Sequence, residues 1–268
     1  MTIARVTQKM EAWNAQLLEI GRARHPGAWV GPEPATTPWM WSPINVLLLR
    51  GASTVLVDAG TGILAPWWPF DGFEEDMVGA LSWAGLVVDD IELVVVTHLD
   101  FDHVGGLVSG SWPDGLEVAF ANATVAVPAG AADWARSADP DESLNAGSRI
   151  VDYLEREGRL IEVAANGEAA PGVRLRPAPG HRPGHSLVEI DREPSLTHGA
   201  DVLHHALHAE HPEWDGMGDA DRGLGLATRR SLLAELATRG TCCVFSHIPG
   251  PEPMRVRRDG RGFRLVSA

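Results

Sequence analysis

The stretch VVVTHLDFDHVGGL, Val94 to Leu107, runs from an apolar, β-branched segment directly into His98, Asp100, Asp102 and His103. A short, continuously apolar run is what a strand buried on both faces looks like. Four ionisable side chains inside such a strand would be costly unless paired or metal-bound, so they belong in the loop where the strand ends. Alternation along an extended segment sends Asp100 and Asp102 to the side of His98, and a turn brings His103 round. The set can then face one or two cations. Gly105 and Gly106 allow a tight turn and a helix start close by. A polar loop with capping aspartates would account for any one of these residues, but not for the set together.

The same arrangement recurs along the chain. INVLLLRGASTVLVDAGTG (44–62) reads as two strands around a Gly-Ala turn, ending in Asp58. APGHRPGHS (178–186) offers His181 and His185 at the entry to a strand, GADVLHH (199–205) offers Asp201, and VFSHIPGP (244–251) offers His247 after an apolar run. Helical spacing marks EEDMVGALSWAGL (74–86), with Gly85 as its stop, and the stretch from Ala200 to Gly240. MRVRRDGRGFRLV (254–266) reads as a hairpin about Asp259-Gly260, its arginines on the solvent face. Strand-rich segments thus alternate with helices in two rough halves, as expected for two sheets packed face to face with helices outside.

With 268 residues and 44% hydrophobic content, the chain can build one sizeable core. It is expected to be a single domain over residues 1–268, with 1–43 an N-terminal extension covering the pocket. A net charge of -14 disfavours nucleic acid as a partner. No apolar run approaches membrane-spanning length and MTIARVTQKMEAW has no secretory core, so the expectation is a cytoplasmic protein acting on a small molecule without a membrane. Cys242 and Cys243 are adjacent, which disfavours a mutual disulfide. They read as small core residues in a strand.

Asp58 in LVDAG, THLDFDHVGG, His181 in PGHRPGH, Asp201 and His247, in that order, resemble the metallo-β-lactamase superfamily, in particular its lactonase, esterase and organophosphate-hydrolase branch. The resemblance spans nearly the whole chain. It implies an α/β fold, the four-layer αββα sandwich, with two divalent metal ions at one edge between the sheets. It also implies His98 and His181 on the first ion, Asp102, His103 and His247 on the second, Asp201 bridging, and Asp58 steadying the loop that carries them. A hydroxide held between the ions would attack a neutral, partly apolar lactone or carboxylic ester, with Asp102 shuttling the proton. The alternatives are a phosphotriester or thioester on the same site, or an iron-dependent dioxygenase of the persulfide type.

The chain departs from the family pattern at Asp100, where a histidine is usual. As a seventh ligand, Asp100 would take the charge of a two-ion site with its hydroxide from about +1 to about 0. That would let Mn or Fe compete better with Zn. His185 is expected behind the ligands or against the substrate, and His205 against the substrate. Trp39, Trp41, Trp67 and Trp68 lie in Pro-rich loops and are expected to wall an apolar pocket. Loops of this kind would equally serve a homodimer interface.

Overall fold

The apolar runs form strands where the patterning places them. The computed structural model describes residues 44–67, 77–137, 146–214, 218–248, 253–260 and 262–268. In the first half, β1 (Leu47–Arg50) and β2 (Thr54–Val57) pair antiparallel across residues 51–53. β3 (Leu93–Val95) lies parallel to β2 on one side and to β6 (Thr124–Pro128) on the other. β7 (Leu160–Val163) completes a five-stranded sheet. The hairpin of β4 (Val108–Ser111) and β5 (Gly115–Val118) stands apart from it. The second half forms a seven-stranded sheet from β8 (Glu168–Ala170), β9 (Val173–Pro177), β10 (Ser186–Ile190), β11 (Leu196–His198), β12 (Cys242–Val244), β13 (Met254–Asp259) and β14 (Gly262–Ser267). In both sheets, adjacent side chains go to opposite faces.

That alternation sorts three cores. Leu47, Leu49, Val57 and Val95 meet Leu175, Val188, Leu196 and Val244 between the sheets. Leu48, Leu56, Val94 and Val125 face outward onto α1 (Met77–Trp83), α3 (Ala131–Ser137) and α4 (Gly147–Arg156). On the far side, Leu187, Cys243 and Phe245 pack against Leu232, Leu233 and Leu236 of α6 (Arg222–Arg239). The result is the expected order of helix, sheet, sheet, helix. Cys242 and Cys243 are free and buried, on opposite faces of β12. The final hairpin turns as read, with Val256 and Phe263 buried and Arg257, Arg258 and Arg264 exposed. No described helix is long and apolar enough to cross a membrane.

Two local expectations are corrected. Residues 101–104 are not extended: α2 (Phe101–Val104) is a helical turn that begins before the glycines, with Asp100 at its N-cap position. Asp102 and His103 therefore reach the site from a helical turn and not by strand alternation. The glycines serve close packing instead. A Cβ on Gly105 would lie 1.9 Å from the Thr61 carbonyl oxygen, and one on Gly106 2.0 Å from that of Ala59. The loops after β2 and β3 thus meet backbone to backbone. Among the described residues, the stretch after Asp201 holds only the short α5 (Leu207–Glu210) before α6, and Pro212 cannot continue α5.

Candidate metal centre

Five strand ends supply the polar groups. Asp58 follows β2, the His98–His103 segment follows β3, His181 follows β9, Asp201 follows β11 and His247 follows β12. All of them are buried. The backbone is bent to deliver two of them: Asp58 has φ 60°, and Ala200, just before Asp201, has φ 44°. The left-handed region is unfavourable for residues with a Cβ, so surrounding contacts must hold these turns in place.

Among the described residues four overlapping groups result: His98, His103 and Asp201; His98, Asp100 and His181; Asp102, His103 and His247; and His181, Asp201 and His204. Within each, one donor atom per residue lies within 4.8 Å of the others. Asp201 ties them together, with carboxylate oxygens 3.7 Å from His98 Nε2, 3.4 Å from His103 Nε2 and 3.5 Å from His181 Nε2. Its Oδ2 also lies 3.3 Å from His204 Nε2 and 3.1 Å from His247 Nε2. Asp102 Oδ2 is 3.4 Å from His247 Nε2 and 3.6 Å from His103 Nε2.

These groups fit a divalent ion. His98, His103 and His181 Nε2 and Asp201 Oδ1 are buried without a hydrogen-bond partner, a state that is costly unless something else engages them. Nitrogen and carboxylate oxygen converging in this way form a donor set suited to Zn or to a harder first-row ion. The far sides of the rings are tied down. Asp58 Oδ2 lies 2.8 Å from His103 Nδ1, and the same carboxylate accepts from Thr97 N–H and Oγ1. His98 Nδ1 lies 3.0 Å from Thr97 Oγ1, and His181 Nδ1 lies 3.3 Å from Asp219 Oδ1. Carboxylates behind ligating imidazoles set their tautomer and orientation.

Charge follows this geometry. Burial opposes a proton on His103, but Asp201, Asp102 and Asp58 outweigh it and raise its pKa well above the ordinary value. Burial likewise opposes a proton on His181, yet the neighbouring carboxylates of Asp100 and Asp219 raise it to about 9. Burial, with the neighbouring His103, holds His98 well below the usual range. Burial would raise Asp201, but His247 and His103 hold it well below its ordinary value. Burial raises Asp102.

Asp100, an uncompensated carboxylate when read from sequence, has a partner in the structure. Arg182 Nε donates to Asp100 Oδ1 at 2.8 Å, and Arg182 Nη2 lies 2.8 Å from Oδ2. The Asp100 carboxylate caps no helix N–H. Its charge is cancelled by the fork of Arg182.

His185 lies behind the cluster. Its Nδ1 is 2.8 Å from the Ala178 carbonyl and its Nε2 accepts from Asp201 N–H, which holds the Asp201 turn. His205 Nδ1 accepts from Leu207 N–H, and His205 belongs to none of the four groups. His204 does belong, and stacks on His247 with ring centroids 5.4 Å apart. Trp39, Trp41 and Trp68 lie outside the described residues, as do residues 1–43 and the side chain of Trp67. Sequence reasoning did not find Arg182, Asp219 or Arg229. Buried Arg229 donates to the Val202, Pro212 and Trp214 carbonyls and to Asp219 Oδ2 at 3.0 Å. An arginine in a helix such as α6 carries no signal that its partner supports a distant histidine.

Residues 39–247 match the family described as the Metallo-beta-lactamase superfamily. Over 122 residues the chain is 30% identical to the N-acyl homoserine lactonase AiiA of Bacillus thuringiensis subsp. kurstaki. That stretch covers 46% of this chain and 42% of the relative, so the match spans under half the length of either. Among solved structures, AidC, a dizinc quorum-quenching lactonase in complex with a product, superposes with TM-score 0.77 at 23% identity, covering 95% of this chain and 86% of AidC. AbOPH, a hydrolase of the beta lactamase superfamily, gives TM-score 0.77 at 19% identity, covering 99% and 92%. At these identities the likeness to both is one of fold.

Proposed function

The chain belongs to the metallo-beta-lactamase superfamily, and from that premise we propose that it is a two-metal hydrolase of a neutral, partly apolar lactone or carboxylic ester. The observation that carries this reading is the convergence of buried, unpartnered imidazole nitrogens from both halves of the chain on Asp201. In this reading His98, Asp100 and His181 hold the first ion, Asp102, His103 and His247 the second, and Asp201 lies between. When bound, the ions would supply polarisation of the scissile carbonyl and activation of the attacking water.

The chain's own groups do the rest. Asp58 and Asp219 orient His103 and His181 from behind. The Asp102 carboxylate takes the proton released as water adds to the carbonyl carbon. It delivers that proton to the leaving alkoxide as the ester C–O bond breaks, so acid and alcohol result. His204, in the cluster beside His181 and His247, would contact the substrate in this reading. Trp39, Trp41, Trp67 and Trp68 are proposed, from sequence, as the apolar wall.

The N-acyl homoserine lactonase relatives make an N-acyl homoserine lactone the first substrate to try. The test loads the purified chain with Zn or Mn and compares kcat/KM on that lactone, a simple carboxylic ester, a thioester and a phosphotriester. Highest turnover on the lactone or ester is expected. One iron per chain with O₂ consumption on a persulfide, and no hydrolysis, would overturn the reading.

A further inference from the structure

Arg182 is the residue after His181, and it reaches across from the loop between β9 and β10 to the segment after β3. All three of its guanidinium nitrogens are engaged. Nε and Nη2 hold the two oxygens of Asp100, and Nη1 donates to the carbonyls of His181, at 3.1 Å, and Gly218. Both side chains of the pair are largely buried, at 12% and 10% exposure. A planar fork on a carboxylate fixes its orientation as well as its charge. Four of its five N–H groups are thereby used, which leaves one on Nη2.

On the histidine side the fork leaves Asp100 a lone pair on Oδ2. Oδ2 lies 3.5 Å from His181 Nε2 and 3.8 Å from His98 Nε2, inside one of the four candidate groups. A carboxylate oxygen has two lone pairs. One can take Arg182 Nη2 while the other points between the two imidazoles.

We propose that Arg182 is a positioning residue that makes Asp100 a charge-neutral ligand, so that the Asp100–Arg182 pair stands where a single histidine would stand. The proposal rests on the two-ion reading above. Its consequence is that the first site is no less positive than a histidine-rich one, and the expected bias towards Mn or Fe disappears. The two positions are also coupled: a histidine at 100 needs the positive charge at 182 removed.

The experiment is a double-mutant cycle read by metal content after dialysis and by competition between Zn and Mn against a chelator. Wild type should hold two ions per chain and prefer Zn. Asp100→His alone strands Arg182 beside the first site and should weaken that ion by about tenfold or more. Asp100→His with Arg182→Gln should recover it to within about threefold of wild type. Arg182→Gln alone leaves an unbalanced carboxylate and should shift preference towards Mn by about tenfold. Arg182→Lys keeps the charge and should keep the wild-type preference, which a merely structural arginine would not require. Additive effects of the two substitutions, or an Arg182→Gln chain with wild-type Zn and Mn affinities, would overturn the pairing. A wild-type chain that takes up fewer than two ions overturns the two-ion reading itself, before any variant is made.

Discussion

Asp201 has five imidazole Nε2 atoms gathered around its two oxygens. In the metal-free chain that carboxylate and its neighbours raise the pKa values of His103, His181 and His247 and so favour their protonated forms. A protonated imidazole cannot ligate, so each ion must displace protons to bind. Without an ion, His181 sheds its proton only as pH rises through about 9. Apparent metal affinity should therefore climb between pH 7 and 9, by about tenfold per pH unit for each proton displaced, with the His181 contribution levelling off above that. Calorimetric titration in buffers of different ionisation enthalpy measures the protons released, and a pH-independent affinity would contradict these assignments. His98, Asp100, Asp102, His103, His181, Asp201 and His247 are legible as candidates because each stands at or just past the end of an apolar run beside turn residues. Asp219, 38 positions from His181, and Arg182 are not. Their roles exist only once distant loops are brought together, and a single acidic or basic residue in a loop has no local pattern.

At the scale of elements, the site depends on how closely the loops after β2 and β3 approach. No side chain separates them, since a Cβ on Gly106 would fall 2.0 Å from the Ala59 carbonyl oxygen. Gly106 N–H also donates to the Gly60 carbonyl at 3.2 Å, and Ala59 N–H to that of His103 at 2.8 Å. Gly106→Ala should force the loops apart, costing about 1–3 kcal/mol or more, and should lower metal content because His103 moves with its loop. Gly51→Ala, where nothing lies within 4 Å, is the control and should change the denaturant midpoint little. Equal midpoints for the two variants would show that the close approach does not matter. The strands were readable because β-branched runs bounded by Gly, Pro and Asp have few other solutions. The turn at Phe101–Val104 was not, because four residues are too few to display helical periodicity.

At the scale of the molecule, the candidate ligands divide between halves that otherwise meet through apolar side chains. His98, Asp102 and His103 come from the five-stranded half, and His181, Asp201 and His247 from the seven-stranded half. Leu49, Val57 and Val95 against Val188, Leu196 and Val244 hold the sheets together away from the site. At the edge itself the contact is polar, and buried groups such as His98 Nε2 and Asp201 Oδ1 lack partners. Ions there would act as cross-links as well as reagents, so their removal should be felt by the fold. A ligand present at about 1,000 times its Kd stabilises by about 4 kcal/mol. For a domain near this size that corresponds to a Tm change of about 8–16 °C for one site. Chelation should therefore lower Tm by at least that much, and adding Zn or Mn back should restore it. Hydrogen exchange should locate the loss at the loops after β3 and β11, with the inter-sheet strands still protected. A chelated chain with unchanged Tm would mean that the apolar interface alone sets the spacing of the halves, and that Asp201 reaches its neighbours without help from bound ions.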